Sequence, residues 1–133
     1  TIPRRSYTSF MDSTVDVYFM AERIHQDSLS LSARTLKNPF SANEEVLAEG
    51  KALYLTFCSH CHGKQGNADG PVAAQYPGVP KYSSRAVKDV TEGHIFHVIT
   101  HGKGRMWPHG SQISPDDRWK IVRYVQKLQK GES

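Results

Sequence analysis

Cysteine is scarce in this 133-residue chain. There are two, Cys58 and Cys61, which excludes a fold stapled by several disulfides. No apolar run approaches the roughly 20 residues that a bilayer-spanning helix needs, and the first residues lack the apolar core of a secretory signal. Charge of one sign is not concentrated anywhere either. Seventeen Lys and Arg face thirteen Asp and Glu, and a net +4 so scattered excludes a nucleic-acid surface and is better suited to docking on an acidic protein. The first residue is Thr1 rather than Met, which reads as a processed or truncated form whose export signal or anchor has been removed. The length fits one folded domain.

What is present centres on Cys58-Ser59-His60-Cys61-His62. Both cysteines stand three apart with a histidine directly after the second, the C-x-x-C-H spacing of c-type haem attachment. Two thiols so placed can form thioethers to the two vinyl groups of one haem, and His62 then lies where an imidazole nitrogen can ligate the iron. With only two cysteines and seven histidines, this pattern arises by accident on the order of once in a thousand chains. Two other readings of the cysteines exist. A structural zinc would have to recruit two of His94, His97 and His101, and Cys61 to His94 far exceeds the usual finger interval of roughly 12 to 15 residues. A thioredoxin-like pair would want a strand before Cys58, and none is evident.

Around the motif the chain reads as helical. Residues 1–42 are rich in Ser and Thr with one apolar cluster, Val15 to Met20, that fits strand or helix equally; an extended arm packed through Tyr18, Phe19 and Ile24 is expected. Ser41 and Glu44 have capping-box spacing, predicting a helix from there to about Cys58 with Val46, Leu47, Gly50, Leu53, Tyr54 and Phe57 on one face. Glycines and prolines punctuate residues 63–92, a loop in which a backbone carbonyl near Pro71 is the expected partner of the second His62 ring nitrogen. A short helix is predicted from Thr91 to Gly102, and a last one from Ser114 and Pro115 with Trp119, Ile121, Val122, Tyr124, Val125 and Leu128 as its apolar stripe.

Of three methionines, Met106 is the one in a loop bounded by Gly and Pro on the C-terminal side of the motif. It is the candidate sixth ligand, because thioether sulfur favours ferrous iron and a His/Met pair raises the reduction potential. Its competitors are His94, His97, His101 and His109, any of which would make a bis-histidine site.

The arrangement of helix, C-x-x-C-H, glycine-rich loop, short helix, Met loop and last helix resembles a class I monohaem cytochrome c over roughly residues 41–130. The resemblance implies an all-α cytochrome c fold in which the first and last helices of a domain 41–133 cross near one covalent haem c, with residues 1–40 as an extension. It implies a crossing at Gly50, four residues before Tyr54, which is itself four before Cys58, with Ile121 and Tyr124 facing them. Residues 36–39, 58–63, 90–99 and 117–125 are further similar to the monohaem cytochrome subunit of bacterial alternative complex III, a quinol-oxidising membrane complex. Such subunits are usually tethered by a lipidated N-terminal cysteine, which this chain lacks.

The function expected from this is one-electron transfer rather than enzymatic turnover. Cys58, Cys61, His62 and Met106 would hold the haem, and Lys64, Lys81, Arg85, Lys103 and Arg105 would ring its edge. The expected redox partners are subunits of the quinol-oxidising complex, a terminal oxidase or a soluble carrier, in the periplasm or at the outer face of the cytoplasmic membrane. Membrane association would come only through a missing anchor or partner subunits. An alternative is a gas-binding or sensor module with a labile sixth ligand; peroxidase chemistry has no distal acid and base near Met106 to support it.

Overall fold

Each helix needs something to satisfy the free amides of its first turn, and in two of the helices a short polar side chain does this. A computed structural model describes residues 28–75, 78–103 and 106–132. In chain order these form α1 (Leu29–Thr35), α2 (Glu44–Phe57), α3 (Ser59–His62), a 3-10 turn (Ala73–Gln75), α4 (Glu92–His101) and α5 (Pro115–Gln129). The described residues contain no strand, only an isolated bridge between Lys103 and Met106, so the class is all-α as expected. The expected arm through Tyr18, Phe19 and Ile24 lies outside the described residues.

The cap of α2 differs from the expectation. Asn43, not Ser41, holds the N-cap, its side chain accepting from the Val46 amide at 2.8 Å. Glu44 is therefore the first helical residue instead of the third, so it no longer holds the position from which a capping-box glutamate reaches back. Helix α4 starts as predicted, with Thr91 Oγ1 accepting from His94 N, and stops at Gly102 in a left-handed φ of 75°. Pro115 opens α5, where its missing N–H costs nothing, and Asp116 and Asp117 lie at the positive end of the helix dipole.

The chain divides into two units. One holds the described residues up to Ser41 with Thr91–Trp119. Here α1 lies directly on α4: a Cβ at Gly93 would come 2.0 Å from the Ser32 carbonyl oxygen, so only glycine allows this approach. Around that contact Thr91 Oγ1 donates to Ala33 O, the Asn38 amide donates to Glu92 Oε2, and Asn38 Nδ2 reaches Trp119 O. Phe96 stacks on Trp119 at 4.0 Å, and Leu36, Ile95, Ile99 and Ile113 are buried with them.

The other unit holds Ala42–Val90 with the chain from Lys120 onward. Helices α2 and α5 cross at Gly50, where a Cβ would meet Lys120 O at 2.2 Å and Tyr124 Cβ at 3.3 Å. Tyr124 thus faces the crossing as the resemblance implied, but the nearest atom there is the Lys120 carbonyl oxygen and not a group of Ile121. Tyr54, fully buried one turn on, packs its ring against Tyr124 at 5.3 Å. All six residues of the α5 stripe are buried.

The crossing fixes the sign of one substitution. Gly50→Ala gains about 1 kcal/mol of helix propensity, yet pushing a carbonyl away from a packed crossing costs about 1–3 kcal/mol or more. Urea unfolding should show a less stable variant; a more stable one would mean that the two helices separate freely.

Candidate functional site

The motif begins where α2 ends. Cys58 caps α2 through its amide to Tyr54 O at 2.8 Å, and its own carbonyl accepts from both Cys61 N (3.3 Å) and His62 N (3.1 Å). That shared acceptor closes the pentapeptide into a single turn, α3, which Gly63 terminates at φ 84°. The following loop then binds the turn's remaining carbonyls: Val72 N to His60 O, Gly70 N to Cys61 O and Ala68 N to His62 O. Gly70 has to be glycine, since a Cβ would sit 2.2 Å from the His60 carbonyl oxygen. From the other side Tyr54 donates its hydroxyl to Gly63 O at 2.6 Å in a buried bond. The backbone of the motif is thereby fixed at every residue from Cys58 to Gly63.

Sequence reasoning missed Tyr82. Its amide donates to Gly66 O, and its ring lies flat on the His62 imidazole, 18° from parallel at 4.9 Å. A Cβ at Gly66 would meet that ring at 2.3 Å, so the glycine makes its seat. A lone tyrosine in a loop dense with Gly and Pro carries no periodic signal, and only the fold reveals its place.

Both thiols are free. Burial, with Cys61 as a lesser contributor, pushes the Cys58 thiol up to about 12, and burial raises that of Cys61 too. A redox-active pair needs a depressed thiol, so this environment opposes the thioredoxin-like reading. The zinc reading fails as well: no group of three or more His, Cys, Asp or Glu among the described residues could hold a metal ion. Two free thiols and an imidazole on one backbone-fixed turn do fit a covalently attached haem.

The structure brings Cys58, Cys61 and His62 together and places Met106, half-buried, in the first unit. Met106 and Lys103 exchange backbone hydrogen bonds at 2.9 and 3.1 Å, forming a tight loop against Gly102. Of the competing histidines, His97 is 3% exposed with Nδ1 at 2.7 Å from Ser32 Oγ, and the His101 ring lies against it at 4.7 Å. His94 is half-buried. Burial, then Lys103, then His97 lower its pKa. Lys64, Lys81, Arg85 and Lys103 are exposed, while Arg105 lies outside the described residues.

Comparison with known proteins agrees with this geometry. Residues 45–125, more than half of the chain, match the family model described as cytochrome c oxidase, cbb3-type, subunit III. Cytochrome c-L of Methylorubrum extorquens is 28% identical over 98 residues, covering 73% of this chain and 47% of that protein. A chain of the Kuenenia stuttgartiensis reducing HAO-like protein complex Kustc0457/Kustc0458 superposes with a TM-score of 0.60 at 25% identity, over 68% of this chain and 46% of its own. The KustC0563 c-type cytochrome superposes with a TM-score of 0.53 at 24% identity, over 60% of this chain and 96% of its own, and supports the cytochrome c fold. The chain spans about half the length of cytochrome c-L and of the HAO-like complex chain.

The environment of His94 has a pH consequence. Its lowered pKa means that, as pH falls through the unfolded value of 6.5, the unfolded chain takes up a proton that the folded one resists, and stability is lost. His94→Gln should flatten part of the decline in urea midpoint between about pH 7 and pH 5; an unchanged slope would show that another group causes it.

Proposed function

We propose that this chain, which belongs to the cytochrome c family described as cytochrome c oxidase, cbb3-type, subunit III, carries single electrons through a His62/Met106-ligated haem. The observation behind this reading is the turn Cys58–His62, immobilised by hydrogen bonds on both sides while holding two free thiols and an imidazole. Haem c, the covalent cofactor of this family, supplies iron that alternates between ferric and ferrous states.

The chain's residues do the rest. Cys58 and Cys61 would anchor the haem through thioethers and His62 would ligate its iron through an imidazole nitrogen. Tyr82 restrains rotation of that imidazole by stacking, and a backbone carbonyl near Pro71 is the proposed acceptor for its second nitrogen. Met106 contributes the sulfur that favours the reduced state. Two fixed ligands would keep reorganisation small, so transfer would require no acid or base. Exposed Lys64, Lys81, Arg85 and Lys103 attract an acidic redox partner.

Residues 41–133 form the haem-bearing domain in this reading and 1–40 an extension, in keeping with a family match that starts at residue 45. The similarity of residues 36–39, 58–63, 90–99 and 117–125 supports a place as the monohaem output subunit of a quinol-oxidising complex of the alternative complex III type, or as a related periplasmic carrier. No helix among the described residues is long and apolar enough to cross a membrane.

A reduced-minus-oxidised spectrum with the intact mass of the matured chain tests the reading. One haem bound through two thioethers and a far-red sulfur-to-iron band are expected; a colourless chain with free thiols overturns the proposal. Met106→Ala should lower the potential by on the order of 0.1–0.3 V and let ferrous iron bind CO, whereas an unchanged potential would hand the sixth position to a histidine. Electron transfer to an acidic partner should slow as the Debye length falls from about 30 Å to about 8 Å with added salt, and a flat response would remove the role given to the cations.

A further inference from the structure

Among the charged side chains of the described residues, Arg118 stands out for its depth. It leaves 2% of its surface exposed, and burying a guanidinium is costly unless its donors are well used. Nε donates to Ile113 O at 2.7 Å, Nη2 to Gly110 O at 2.8 Å and Nη1 to Thr100 Oγ1 at 3.1 Å. The guanidinium carbon also lies 5.4 Å from the centre of the Phe96 ring.

Those acceptors belong to two places. Thr100 and Phe96 are on α4, while Gly110 and Ile113 are on the returning limb of the loop that carries Met106. The same limb is tied to α4 by His109 N to Ile99 O and Gly110 N to Thr100 O, and the outgoing limb by Gly102 N to Val98 O. Gly102 permits the close approach, because a Cβ there would meet Met106 O at 2.4 Å and Pro108 N at 2.9 Å. The segment is thus clamped at both feet, 102 and 109–113, and the Arg118 fork spans the returning foot and the helix.

We propose that Arg118 is a positioning residue for Met106: by clamping Gly110 and Ile113 onto α4 it fixes the loop that presents the thioether to the haem iron. This deepens the reading of Met106 as sixth ligand and rests on it. Lysine cannot replace Arg118, since an ammonium on a flexible stem cannot serve three acceptors in the directions of a planar fork.

The test compares Arg118→Lys, Arg118→Gln, Thr100→Val, Met106→Ala and Val122→Ala in the matured haem protein. The readouts are the far-red band, the midpoint potential and amide exchange at His109 and Gly110 relative to Ile95. Both Arg118 variants should weaken the band, lower the potential and speed exchange at His109 and Gly110 about tenfold while sparing Ile95. Thr100→Val, which removes one acceptor at nearly constant shape, should shift all three in the same direction by less. Val122→Ala, a cavity in the α5 stripe, should lower stability and leave band and potential alone.

An Arg118→Lys protein with wild-type band and potential overturns the proposal, as does an equal loss in Val122→Ala. If neither Arg118 variant matures, Thr100→Val decides: unchanged band and exchange overturn it. If Met106→Ala alters the band but the Arg118 and Thr100 variants do not, only this inference falls. If Met106→Ala changes nothing, the ligand assignment falls and takes this inference with it.

Discussion

The Cys58 carbonyl, shared by the amides of Cys61 and His62, is the constraint on which the second unit depends. One acceptor serving two donors turns five residues into a closed loop of backbone, and everything nearby serves to keep it closed. The loop after Gly63 returns to bind three more of its carbonyls, and Tyr54 secures its exit. An isolated turn of four helical residues has no stability of its own in water. Its rigidity is borrowed from α2 and from the segment ending at Val72, and that rigidity lets two sulfurs and an imidazole act as a fixed set.

Glycines at backbone contacts recur in both units. Gly50 and Gly93 each accept a carbonyl oxygen where any larger residue would hold the neighbouring helix away. In one case the gain is a crossing that places Tyr54 against Tyr124. In the other it is a seat for α1, supported by the buried Ser32 and His97 pair. A helix of seven residues without a side-chain cap could not persist otherwise, which ties the existence of α1 to tertiary contact and not to propensity.

This also explains what could be read from the chain alone. The C-x-x-C-H turn was legible because its chemistry requires one spacing. The α5 stripe and the termini of α4 were legible because amphipathic period, Thr91, Gly102 and Pro115 all agree. The start of α2 was misplaced by two residues because Ser41 and Asn43 are both good caps, and only the fold shows which amides are within reach. Helix α1 and Tyr82 were invisible, the first because its stability comes from Gly93, sixty residues on, and the second because stacking leaves no trace in sequence period. Arg118 reads locally as one more polar residue of a helix; two of its three acceptors are set by the return of the Met106 loop and the third by α4.

Tyr54 belongs to two structures at once, its ring to the packing against Tyr124 and its hydroxyl to Gly63. A haem-binding pentapeptide transplanted into a foreign scaffold would bring along the sulfurs but leave behind the phenol, four residues before the first cysteine, that ties the exit of the turn to α2. The portable cassette is therefore longer than its signature. It starts at least one helical turn before the first cysteine, and an engineer who copies the five letters alone will inherit the bonds without the stiffness.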